Sequence, residues 1–227
     1  MPQRSPGRQD GSRPSARLVR RSRILPVPPS SPVISFSFFG WFRDTELEKD
    51  GNIAWRRGAP DIHAFFGWMQ IEEILPVHGR DAAILDARPW LAGHPHLNRP
   101  NDAANHIYVA ANRLDIPGLK GLPGAGTFHQ ITPGRTLTVP GQRRRSLWSL
   151  PGFFHPSAGA TLSYHEDPAR WLVPGPDLSL RKLGGRRPAA GRQVLLQSAA
   201  RGQEFVLTAR SSNTRSWLTN VVFPDVV

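Results

Sequence analysis

Cysteine is absent from the 227 residues. Disulfides, iron–sulfur clusters, thiolate zinc sites and cysteine nucleophiles are excluded, so any metal would have to be held by His, Asp and Glu. Long apolar runs are absent too. The longest, residues 33–42, is about half of the ~18 residues of a membrane helix and contains Ser35 and Ser37. No membrane partner is expected, and a cytoplasmic location is. Lysine is scarce, with three residues against 26 arginines. A skew that strong reflects a GC-rich coding sequence as readily as a ligand. Several reaction motifs are missing as well. Residues 119–127 are glycine-rich but lack the Gly-Lys-Ser/Thr of a phosphate-binding P-loop. There is no Gly-x-Ser-x-Gly elbow and no His-Glu-x-x-His zinc motif. Hydrolysis through a recognised nucleophile has no support.

What is present suits one domain with a tail. Hydrophobic residues make up 39% of the chain, enough to bury a core, while 23 Pro and 21 Gly argue against a helix bundle. The net charge is +12, and half of it sits in residues 1–33, with seven Arg and one Asp. That stretch also holds seven Pro and almost no periodic apolar residues, so it reads as a disordered basic tail. Prolines 26, 28, 29 and 32 would break a transit-peptide helix, and they follow Arg20-Arg21 where a twin-arginine signal needs an apolar segment. Basic charge attracts phosphate backbones, a modest pointer to nucleic acid.

Residues 34–227 read as an α+β domain, strand-rich, with long Gly/Pro loops and a few short helices. Ile34, Phe36, Phe38 and Phe42 alternate with Ser35, Ser37, Phe39 and Trp41, which predicts a strand with one strongly apolar face. A turn at Asp50-Gly51 predicts a hairpin whose second strand is 52–57 and whose loop is the charged stretch 43–50. Residues 62–77 are apolar on both faces and predict a central strand. Phe38-Phe39-Gly40-Trp41 recurs as Phe65-Phe66-Gly67-Trp68, so these two strands are expected side by side, each Gly permitting a close approach or a bulge. A helical turn is predicted over 86–93 with Asp86 as N-cap. Strands are predicted over 106–111, 146–150 and 161–164, a helix start at Asp167-Pro168, apolar pieces at 194–196 and 205–207, and a last helix capped by Asn213. Residues 116–142 and 174–192 read as loops.

A succession of motifs runs along this domain. It comprises Phe38-Phe39-Gly40-Trp41-Phe42-Arg43, Gly58-Ala59-Pro60-Asp61-Ile62-His63, Phe66-Gly67-Trp68-Met69-Gln70, His94-Pro95-His96, and Asn105-His106-Ile107-Tyr108-Val109-Ala110. After these come Leu122-Pro123-Gly124-Ala125-Gly126, Ser146-Leu147-Trp148, Leu162-Ser163-Tyr164-His165, Gln197-Ser198 and Arg201-Gly202-Gln203-Glu204-Phe205-Val206. In this order, over roughly residues 36–222, the chain resembles the nucleotide modification associated domain family, third class. Its members are bacterial and phage proteins tied to DNA-base modification systems. The resemblance implies a nucleotide or DNA partner and names no reaction, cofactor or oligomeric state. It also implies a longer N-terminal segment where this chain carries the Arg/Pro tail. If that segment supplies active-site residues, the chain is expected to be an inactive, truncated relic.

Three clusters are candidates for chemistry. Tyr164, His165 and Glu166 gather a phenol, an imidazole and a carboxylate, with His165 as general base; the alternative makes Asp167 a helix N-cap and Glu166 part of a solvated loop. His94 and His96, two residues apart, would project from one face of an extended strand toward a metal, with Asp86 or Asp102 adding a carboxylate; the alternative is a rigid loop whose imidazoles bond backbone. For nucleotide binding, Arg201 offers a planar fork for phosphate, Gln203 a paired donor and acceptor for a base edge, and Gln197 and Glu204 flank them; the alternative is an internal Arg201–Glu204 ion pair. Large aromatics at strand spacing are more often core. Trp41 beside Arg43, at a strand end next to a charged loop, is the exception that suits base stacking. Arg143-Arg144-Arg145 and the basic stretch 181–192 suit phosphate contacts or a solvated face. Two functions follow: an enzyme or accessory component of a modification system, or a non-catalytic reader of nucleic acid in the manner of PUA-like domains.

Overall fold

The computed structural model describes residues 34–77, 82–98, 105–158, 162, 165–174, 179–189, 191–199, 204–208 and 211–224; for 34–36, 82 and 204–208 it describes the backbone. The fold is α+β and strand-rich. Its strands are β1 (Ile34–Phe42), β2 (Thr45–Leu47), β3 (Ile53–Trp55), β4 (Ile62–Pro76), β5 (His106–Ala110), β6 (Ala125–Thr127), β7 (Leu147–Pro151), β8 (Trp171–Pro174), β9 (Leu180–Lys182), β10 (Gln193–Gln197) and β11 (Glu204–Thr208). Two short helices, α1 (Ala82–Ala87) and α2 (Ser212–Trp217), several single turns of 3₁₀ helix and a π-helical turn at Leu218–Val222 complete it.

β4 organises the first sheet, whose order is β11-β1-β4-β5 with β6 also paired to β4. Its first half, from Ile62, pairs antiparallel with β1, and its second half pairs with β5. Apolar side chains on both faces let this long strand be covered from both sides, as its sequence predicts. The register with β1 slips between Phe38 and Phe39: Phe38 lies opposite Gly67 and Phe39 opposite Phe65, so β4 carries one extra residue at Phe66. The two aromatic-Gly-aromatic strands do lie side by side. Gly67 serves the other neighbour: a Cβ there would stand 2.8 Å from the Gly126 carbonyl oxygen of β6.

The core face of β1 is the Ser37–Phe39 side, with both residues buried, while Phe38 and Phe42 are half-buried against Phe66. The more apolar alternation is therefore not the buried one. Phe39 and Phe65 pack with Trp148, Leu150, Trp171, Val194 and Leu196 of the second sheet, order β7-β10-β8-β9, and with Trp217, Leu218 and Val222 at the C-terminal side. A smaller core, Leu75, Val77, Leu91, Leu97 and Ile107, closes the far end of β4.

Several local expectations need correction. The charged stretch 43–50 is not a plain loop: β2 forms inside it and pairs with β3, so the hairpin is β2–β3 and β1 pairs with β4 instead. Its turn uses Gly51 at φ +85°, and the Asp50 carboxylate accepts hydrogen bonds from the Asn52 amide and side chain. Asp86 lies inside α1 and caps nothing; Arg88 precedes the next 3₁₀ turn. Ser211, not Asn213, caps α2, its Oγ accepting from the Thr214 amide at 3.1 Å. Asp167 does cap a helical turn, through the Ala169 amide. The expectation for residues 1–33 and most of the strand at 161–164 lie outside the described residues.

Candidate functional site

β1 outruns the core that covers Phe39. Trp41, two residues on, points from the same face and is left in solvent. The β2–β3 hairpin then folds back and brings Trp55 against it: the two rings stack with centroids 6.1 Å apart and planes within 18°. Arg43 stands 6.0 Å from one ring centroid and 5.9 Å from the other, and Arg145 lies 4.9 Å from Trp41. Asp61 ties the two cations together, accepting from Arg43 Nε at 2.6 Å and from Arg145 at 3.5 Å. Arg43 first, and the Trp41 indole second, hold the Asp61 carboxyl below the usual carboxylate range. Two exposed indoles and two guanidiniums around one carboxylate leave a net positive, aromatic platform. Arg43 also lines a cleft of about 780 Å³ on the neighbouring surface, with Phe42, Ile62, Thr138, Gln142 and Gln193.

Arg145 comes from far along the chain, and one side chain explains its place. Thr138 Oγ1 accepts from the His63 amide at 2.8 Å and donates to the Arg145 carbonyl at 2.7 Å. His63 sits directly across from Trp41 in the β1–β4 register. Its Nδ1 accepts from the Trp148 indole at 3.0 Å. An indole N–H only donates, so the neutral imidazole carries its proton on Nε2. Burial, then the Arg145 charge, pushes the His63 pKa down and favours that neutral form.

The remaining candidates lie elsewhere in the fold. His165 is buried, with its ring 5.4 Å from Trp148. Its Nε2 accepts from the Ala199 amide at 3.1 Å, and its carbonyl accepts from the Trp171 indole. Glu166 is exposed, and Tyr164 lies outside the described residues. Gln197 donates to Ser146 Oγ at 2.8 Å. Arg201 and Gln203 lie outside the described residues, and Glu204 is described only as backbone of β11. Trp148 thus links His165 to His63, and through it to Trp41. His94 and His96 do meet, with ring centroids 5.3 Å apart, but around a 3₁₀ turn, Pro95–Asn98, and not on an extended strand. His94 Nδ1 accepts the His96 amide, and His96 Nδ1 faces the His106 carbonyl at 3.0 Å. Among the described residues no group of three or more His, Asp or Glu side chains is placed to hold a metal. Asp102 lies outside them.

Of the platform residues, the sequence singles out Trp41 and Arg43 as nucleotide-binding candidates and Arg145 only as one of three loop arginines. It does not single out Trp55, Asp61 or His63. Asp61 and His63 stood in a quoted motif, and that was their only signal.

The model of the family described as nucleotide modification associated domain 3 matches residues 35–208. The chain belongs to this family. The match spans nearly all of β1 through β11 and contains every residue of the platform, and it ties the fold to nucleotide modification. Two family-motif glycines now have a steric reason: Gly67, and Gly126, where a Cβ would stand 2.5 Å from the Trp68 ring. No curated protein and no solved structure matches the chain. Among the described residues no helix is long and apolar enough to cross a membrane.

Proposed function

We propose that the chain binds a nucleotide, free or within DNA, at the Trp41–Trp55 platform, as the base-holding component of a nucleotide-modification system. The observation that carries this reading is the pair of stacked, solvent-exposed indoles flanked by Arg43 and Arg145. A base stacking on such a surface gains ~1–3 kcal/mol, whatever its identity. The phosphate falls to the cations. Arg43 is held by Asp61 at 2.6 Å, whereas Arg145 sits 3.5 Å from the same carboxylate, so Arg145 is the more available partner. His63 adds a neutral ring whose Nε2–H suits an acceptor on a base edge. The reading assigns no proton transfer to His165, whose Nε2 lone pair already takes an amide hydrogen. It favours the binding component or reader over the acid–base enzyme.

Titration calorimetry with nucleosides and nucleoside monophosphates tests it. Trp55→Ala is expected to weaken both about tenfold or more. Arg145→Ala is expected to weaken the monophosphate and spare the nucleoside. Full affinity in Trp55→Ala would sink the assignment. Chromatography of the recovered ligand then separates reader from enzyme, since a reader returns it unchanged.

A further inference from the structure

The hairpin that supplies Trp55 has more exposed apolar surface than one base requires. In β2–β3, Thr45 pairs with Trp55 and Leu47 with Ile53, so these four side chains share one face. Leu47 is 74% exposed, Ile53 76%, Trp55 56% and Trp41 53%; they are four of the seven large hydrophobic residues that the described surface exposes. The opposite face pairs Glu46 with Ala54. The ribbon is therefore apolar on one side and acidic on the other, and its apolar side runs into the Arg43–Arg145 cations. From these features we infer that this face is a track for single-stranded nucleic acid, in which a second base rests on Leu47 and Ile53 beyond the one on Trp55. The inference rests on the nucleotide reading above and extends it to a polymer.

Spacing and charge select this occupant. Trp55 and Ile53 are two residues apart on one strand, ~6.7 Å. Stacked bases of one DNA strand are spaced at ~3.4 Å. The hairpin step is twice that, which fits a chain whose bases are splayed apart, each on its own side chain. Phosphates linking them meet Arg43 and Arg145 at the platform end, and Arg57 and Lys49 within the hairpin. Arg56 alternates onto the opposite face, where it pairs with Asp44 at 3.4 Å, and Asp50 is engaged by Asn52. Glu46 on the other face repels a phosphate chain and leaves one side for binding.

The test uses the full chain at moderate salt, with dTMP, a 12-nucleotide oligo-dT and the matching duplex as probes. The basic residues 1–33 are present in every sample, so differences between variants report the hairpin. Oligo-dT is expected to bind at least tenfold more tightly than dTMP and than the duplex. Leu47→Ser with Ile53→Ser is expected to lower oligo-dT affinity about tenfold and to leave dTMP affinity unchanged, which also shows that the variant is folded. Equal affinity for dTMP and oligo-dT, duplex binding as tight as single strand, or a double variant that keeps full oligo-dT affinity would each overturn the track while leaving the one-base site standing. Loss of dTMP binding in neither Trp41→Ala nor Trp55→Ala would instead sink the one-base reading itself. If sedimentation finds a dimer that Leu47→Ser with Ile53→Ser converts to monomer, the face is covered by a second copy and the track is overturned.

Discussion

Two pairs of tryptophans, one buried and one exposed, occupy neighbouring parts of this molecule. Trp148 and Trp171 have no exposed surface, and each indole N–H is met, by His63 Nδ1 and by the His165 carbonyl. Trp41 and Trp55 keep more than half of their surface in water and are held by each other and by two arginines. The boundary is sharp: Phe39 packs edge-on against Trp148 at 4.8 Å, and two residues later β1 has left the core. A tryptophan becomes core where a second sheet supplies both covering side chains and an acceptor for its N–H. Where the sheet stops, the same residue type stays exposed, with its apolar ring offered to solvent.

Variants of the two groups sharpen this contrast. The largest effect is expected for Trp148→Ala, which empties the core and removes the donor to His63. A loss of ~3–5 kcal/mol, or a Tm lower by roughly 6–20 °C, is expected in thermal unfolding. A loss below ~1 kcal/mol would erase the distinction between buried and exposed groups. Gly126→Ala comes next. Its Cβ would press on Trp68, a half-buried ring at the core margin, so a cost of ~1–3 kcal/mol is expected in urea unfolding.

A smaller effect concerns the imidazole between the two groups. Its folded pKa lies below the ordinary ~6.5. The neutral ring's contribution is therefore complete above that value and is lost as pH falls below it toward the folded pKa. His63→Gln is expected to flatten part of the stability decline below pH ~6.5; an unchanged profile would remove His63 from the account. Burial of His155 contributes in the same direction and remains in the variant. The Arg43–Asp61 tie behaves oppositely to an imidazole of raised pKa: the lowered carboxyl keeps the tie intact above the carboxylate range and releases it only as pH falls through its folded value. Smallest of all, Trp55→Ala is expected to cost no more than ~1 kcal/mol, because more than half of that residue is in water and it packs only at the surface. A larger loss would make the hairpin part of the core.

Strands of both sheets were legible from periodicity, because β4 is apolar on both faces from Ala64 to Met69 and β5, β7 and β10 are short apolar runs between breakers. The platform was only half legible. Trp41 and Arg43 are neighbours in sequence, and the strand end between them could be read. Asp61 and Arg145 are 84 positions apart and meet through the Thr138 bridge, which no local pattern encodes. The hairpin was hidden for a different reason. Thr45-Glu46-Leu47-Glu48 alternates as a strand does, but its charge masks a two-residue apolar face. β1 forms as its alternation predicts, but its burial follows the face that meets the second sheet, on which Ser37 and Phe39 lie, and not the face of Phe38 and Phe42.

One topological feature has a kinetic meaning. β1 lies between β4 and β11, and Phe38 pairs with Glu204, Ile34 with Thr208. At ~5–20 residues per second, a ribosome that has finished β1 needs roughly ten to thirty seconds to deliver its last partner. Through that interval the Ile34–Phe38 edge of β1 has no neighbour to close it, an invitation to pair with another nascent chain. Yield from cells should therefore respond to translation rate and to chaperones that shield open strand edges more than folded-state stability alone would suggest.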